Sequence, residues 1–120
     1  MNTDKNPSRV FKSATFMQPN IGEPIRSVVT ESQHATVVAW HINPQQSILA
    51  HVHPHGQDTW TIISGCGEYQ LNTTGDTHII SAGDIVVAHQ NEVHGVFNHS
   101  NEPLVFISVV CPFEAGYALI

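Results

Sequence analysis

From Val10 onward, short runs of Val, Ile, Thr and aromatic residues alternate with clusters of Gly, Pro, Asn and Asp every eight to twelve residues. Such runs read as strands, and no segment of useful length repeats its apolar positions at the 3.6-residue period of a helix. The predicted strands cover residues 10–16, 25–31, 34–42, 47–53, 58–64, 67–72, 77–81, 84–88, 93–98 and 104–110. Legible turns fall at Asn43-Pro44, Pro54-His55-Gly56, Thr74-Gly75-Asp76 and Ala82-Gly83-Asp84, built from residues that tolerate or pre-set turn dihedrals. A single helical turn near Glu114 to Gly116, after Pro112, is the only helical piece expected. Many short strands without helices imply an all-β sandwich or barrel. With no repeat, linker or low-complexity run, residues 1–120 form one domain, and polar residues 1–9, with Pro7, are expected to be an arm that frays or pairs with a second subunit.

Composition narrows the function. A chain of 120 residues can bury a core without disulfides or structural metal, so a metal site here would serve function. Charged residues make up 12% of the chain, about half the usual share, and the four basic ones leave a net charge of −6. No basic patch is available to neutralise a nucleic acid or an anionic membrane, and a phosphorylated substrate is disfavoured for the same reason. No apolar run has the length of a signal peptide or membrane span, so the expected location is cytoplasmic. Cys66 and Cys111 are too few and too far apart for a disulfide framework and read as buried thiols. The sequence contains no HExxH, GxSxG, Walker or GxGxxG motif, and no deaminase signature.

The chemistry concentrates in residues 51–65, HVHPHGQDTWTIISG. His51 and His53 are two apart, so on a strand both imidazoles face the same way and can grip one ion. Asp58, or Gln57 if the intervening turn is tighter, can add an oxygen. A distant candidate partner is His94, in the segment GDIVVAHQNEVHGVFN of residues 83–98. His55 follows the pair directly and reads either as a pocket-rim proton shuttle or as an exposed turn residue. His89 is a candidate outer donor, whereas His34, His41, His78 and His99 read as ordinary surface or core positions.

The two segments resemble the two motifs of the cupin superfamily. The first family motif runs G, five residues, HxH, three or four residues, E, six residues, G; His51, His53, Asp58 and Gly65 match it at these spacings. The second runs G, five residues, PxG, two residues, H, three residues, N; Gly83, His94 and Asn98 match. Gln45 stands at the leading glycine, Asp58 replaces glutamate, and His89 and Asn91 replace the PxG proline and glycine. Asn91 is an easy exchange because asparagine tolerates the left-handed conformation.

The resemblance implies a double-stranded β-helix, or jelly-roll, barrel. It implies a divalent ion (Fe, Mn, Ni or Zn) held by His51, His53, His94 and Asp58, with Gln57 as the alternative fourth ligand. It implies a small-molecule enzyme of dioxygenase or isomerase/lyase type, with Asp58 or His55 moving protons, or else a non-catalytic metal- or ligand-binding barrel. Trp60, Tyr69, Phe97 and Phe106 are its candidate pocket residues. A small-molecule ligand or substrate and a homodimer are the expected partners, and the apolar end GYALI is expected to dock on its own sheet or a neighbour's.

Overall fold

The computed structural model describes residues 8–120; of the expected arm, residues 1–7 lie outside the described residues. Ten strands follow one another: β1 (Ser27–Glu31), β2 (Thr36–Ile42), β3 (Ser47–Val52), β4 (Gln57–Ser64), β5 (Cys66–Gln70), β6 (Thr77–Ser81), β7 (Ile85–Ala88), β8 (His94–Phe97), β9 (Leu104–Cys111) and β10 (Ala118–Leu119). They form two five-stranded sheets, in the orders β1-β2-β9-β4-β7 and β10-β3-β8-β5-β6. Every pairing is antiparallel. This is the expected all-β double-stranded β-helix.

Period-two alternation sets which side chains meet between the sheets. Along β4, Asp58, Trp60 and Ile62 are buried, while Thr61 and Ile63 are exposed. Along β9, Leu104, Phe106 and Ser108 are buried. One end of the barrel is filled by Ile42, Ile62, Ile80, Val96, Leu104 and Phe106. Trp60 caps this plug, stacked on Phe106 at 4.2 Å and edge-on to Tyr69 at 5.2 Å. The other end is left to polar side chains and a cavity.

Two expectations are corrected. Residues 10–16 do not form a strand; Ser13–Phe16 is a 3₁₀ turn in which the amide and hydroxyl of Thr15 both donate to the Lys12 carbonyl. Such a local bond satisfies backbone that a strand would have to pair elsewhere. The short carboxyl-terminal strand β10 was not expected as a strand, yet it pairs with β3 of its own chain, one of the two docking modes open for GYALI. Elsewhere the predicted strands hold within two residues at each end, and the expected helical turn lies at Phe113–Ala115.

The tight connection between β4 and β5 depends on Gly65. Its φ is +82°, and a Cβ there would collide with the carbonyl oxygen of Pro103. Gly75 has φ of +99° but open space around its missing side chain. Gly65→Ala is therefore expected to cost ~3 kcal/mol or more, combining backbone strain with a main-chain clash. Gly75→Ala is expected to cost only ~1 kcal/mol. Urea unfolding of the two variants checks the order, and equal losses would contradict it.

Candidate metal centre

His51 is the last residue but one of β3, His53 follows directly after the strand, Asp58 faces inward from β4, and His94 opens β8 directly opposite His51. Alternation puts His51 and His53 on one face, and a bulge in β3 between Ile48 and His51 lets Ile48, three positions from His51, face the same cavity. All four residues are buried, and one donor atom from each lies within 4.8 Å of the other three.

Each imidazole is tied at Nδ1 to a main-chain carbonyl: His51 to Leu49 at 2.7 Å, His53 to Gly116 at 2.7 Å, and His94 to Glu92 at 3.1 Å. A carbonyl oxygen can only accept, so all three Nδ1 atoms carry the hydrogen, and in the neutral ring each Nε2 keeps a free lone pair. Asp58 is similarly divided. Its Oδ1 accepts from the hydroxyl of buried Ser108, while Oδ2 lies 3.3 Å from Nε2 of His53 and 3.1 Å from Nε2 of His94. Nitrogen lone pairs facing a carboxylate oxygen repel unless a proton or a metal cation lies among them. The donor set fits a divalent transition ion: imidazole nitrogen and one carboxylate, with second atoms fixed by partners outside the shell.

The electrostatics agree. Burial pushes His51 down to about 4, helped by His94 and His53 and only partly offset by its bond to Leu49, so this ring is neutral near pH 7. Burial works to raise Asp58, but the hydrogen bonds from His53, His94 and Ser108 outweigh it and hold the carboxyl well below the usual range. For His53, burial is opposed by the Asp58 and Gly116 bonds, with a net shift upward. In the metal-free chain the Asp58 contact therefore favours a proton on His53, which a metal would have to displace.

The cluster opens onto a cavity of about 520 Å³ between the sheets. Trp60 lines this cavity, as do Ser108, Arg26 and Tyr117. Tyr117 is 61% exposed, yet its ring centroid lies 4.9 Å from that of His51. Tyr69 and Phe106 are buried in the plug behind Trp60, and Phe97 lines a separate groove on the outer side of the second sheet. Gln57, next to Asp58 on the strand, has the opposite parity and is not among the residues lining the cavity. His55 is exposed in the turn after His53 and does not line the cavity, while His89 is exposed and paired with Glu92 at 3.0 Å.

Sequence reasoning missed Ser108, Gly116, Tyr117 and Arg26. Ser108 was accessible in principle, because it shares the inward parity of Phe106 on β9. Gly116 carried no signal: it reaches His53 across 63 residues of chain, and through a carbonyl rather than a side chain.

The family model for the cupin domain matches residues 38–110. Among solved structures, an uncharacterized conserved protein with a double-stranded beta-helix domain from Klebsiella pneumoniae is 51% identical, at a TM-score of 0.90, covering 93% of this chain and 96% of that one. TT1209 from Thermus thermophilus is 18% identical, at a TM-score of 0.79 and with 86% and 96% covered. The DMSP lyase DddQ from Ruegeria pomeroyi is 14% identical, at a TM-score of 0.69 and with 81% and 51% covered. The last two likenesses show a shared fold alone. No curated protein sequence matches. Since the family model spans more than half of the chain and takes in both histidine segments, the chain belongs to the cupin family.

Proposed function

We propose that this cupin is a metal-dependent enzyme acting on a small organic molecule, with His51, His53, Asp58 and His94 as the ligands of one divalent ion. The observation that carries the reading is the shared tautomer: three rings are held at Nδ1 by carbonyls, Nε2 of His53 and of His94 meets a single carboxylate oxygen, and a donor atom of His51 lies within 4.8 Å of the other donors. Bound there, a divalent ion supplies Lewis acidity and, with four protein ligands, about two open positions for substrate.

The chain's own residues set the rest. Ser108 holds Oδ1 of Asp58, so the shorter aspartate presents Oδ2 to the cluster from a fixed rotamer. Asp58 is ionised too firmly to carry protons near pH 7, which favours a ligand role over a base role. Exposed His55 lacks contact with the cavity, so a proton-shuttle role finds no support there. Trp60 closes the floor beneath the cluster, and Tyr117 covers its outer side, together limiting water around a bound molecule. Catalysis rather than storage is supported by the cavity, which a purely structural ion would not need. The Ruegeria lyase adds that this barrel shape is compatible with lyase chemistry.

Reconstitution with Fe(II), Mn(II), Ni(II) or Zn(II) is expected to load close to one ion per chain for at least one of them. His51→Ala, His53→Ala and His94→Ala should each lower metal affinity by about tenfold or more while circular dichroism stays that of the parent. Asp58→Ala should do the same and Gln57→Ala should not. Full metal retention in all three histidine variants, measured by elemental analysis, would sink the assignment.

Metal retention is also expected to fall as pH drops through ~6.5, because protons compete for Nε2. The metal-free protein should lose stability over the same range. Unfolded His51 takes a proton near its ordinary value, whereas the folded ring resists until about 4, so acid favours unfolding between those limits. Asp58 acts in the same direction at lower pH, because its folded carboxyl is depressed and its stabilisation is lost as it protonates. The upward shift of His53 works the opposite way, so the urea midpoint should fall less steeply than His51 alone would give. A midpoint that rises on acidification from pH 7 to 5 would contradict this balance.

A further inference from the structure

We propose that the cavity takes a small monocarboxylate with an apolar body, its carboxylate paired with Arg26 and an oxygen at its other end directed to the metal cluster. The second contact rests on the metal reading above, whereas the first stands on the placement of Arg26 alone.

Arg26 immediately precedes β1, whose register pairs Ser27 with Ala39 and Val28 with Val38. One step further back brings Arg26 opposite Trp40, on the face that Val38 and Trp40 turn to the cavity. Among the described residues it is the single lysine or arginine lining that cavity, in a chain with only four. Among the described residues it makes no ion pair. Arg26 is an exposed residue at the rim of that cavity, and a guanidinium there without a carboxylate partner is an anion receptor of fixed, forked geometry.

The surroundings define the anion. Val38, Trp40, Ile48, Val110 and Phe113 give the space between Arg26 and the cluster largely apolar walls. No second cation stands beside Arg26 to balance a phosphate dianion, so one negative charge on an apolar frame fits best. The size is bounded by the cavity, whose volume of about 520 Å³ admits a molecule of about ten to twelve heavy atoms.

A different role for Arg26 is to guard the exposed edge of β1 against pairing with another chain, since inward charges at sheet edges do this. Ligand charge separates the two roles. Titration calorimetry with 4-hydroxyphenylacetate and 3-(4-hydroxyphenyl)propionate, each against its neutral amide, is run on the zinc-loaded and metal-free protein and on Arg26→Gln and Arg26→Lys. In the parent, at least one carboxylate should bind about tenfold or more tighter than its amide. Arg26→Gln should erase that preference with zinc stoichiometry unchanged, and Arg26→Lys should keep part of it. No saturable carboxylate binding, no preference over the amides, or a preference that survives Arg26→Gln would each overturn the proposal. Should zinc fail to load, the metal-free titrations still decide the role of Arg26, and reconstitution with the other three ions decides the metal reading separately.

Discussion

The polar end of this barrel depends on one constraint: three imidazoles whose Nδ1 atoms are each committed to a main-chain carbonyl. Once those hydrogen bonds form, tautomer and ring orientation are no longer free, and the Nε2 lone pairs must converge. Two of the carbonyls, from Leu49 and Glu92, lie two residues before the ring they hold. The third, from Gly116, arrives with the carboxyl-terminal segment that β10 pins against β3. Convergence of the cluster thus requires the whole chain to be in place.

The apolar plug and the polar end are mechanically continuous through Trp60. Its indole is clasped by Phe106 and Tyr69 on one side and lies 5.9 Å from the ring of His94. On the same strand, two residues away, Asp58 takes its place beside Ser108 from the neighbouring strand β9. The packing that excludes water from the core therefore also sets the distance between the carboxylate and the histidines. The low dielectric around the cluster has a second consequence: it lowers His51 and strengthens each remaining electrostatic contact.

Departures from the family motifs become intelligible in three dimensions. Gln45, at the position of the leading glycine, has φ of 70°, so it accepts the left-handed conformation that glycine would adopt freely. Asn91, at the PxG glycine, has φ of 63°, as its residue type suggested. The loss of one methylene at Asp58 is accommodated within the cluster, where Ser108 fixes the carboxylate and Oδ2 still reaches two of the three Nε2 atoms. Gly56 has its own reason to lack a side chain, because a Cβ there would collide with the Cys111 carbonyl, next to the segment that carries Gly116.

The sequence alone was sufficient for β1 to β9, the barrel class and the ligand candidates, because these are local properties. Period two, turn residues and the HxH spacing are each written within a few positions of the chain. Choosing Asp58 over Gln57 was already favoured by counting from Gly65, and the alternation of β4 turns that preference into geometry. The tertiary structure alone decided what the cluster is attached to and what it faces. Ser108 is 50 residues from Asp58, Gly116 is 63 from His53, and Arg26 shares a cavity with His51, His53 and Asp58 from the far edge of a sheet. The bulge in β3 likewise has no signature in residues 48–51, yet it sets which of them face inward. Contacts of that kind are fixed by how two sheets close over a shared core, which no short stretch of sequence encodes by itself.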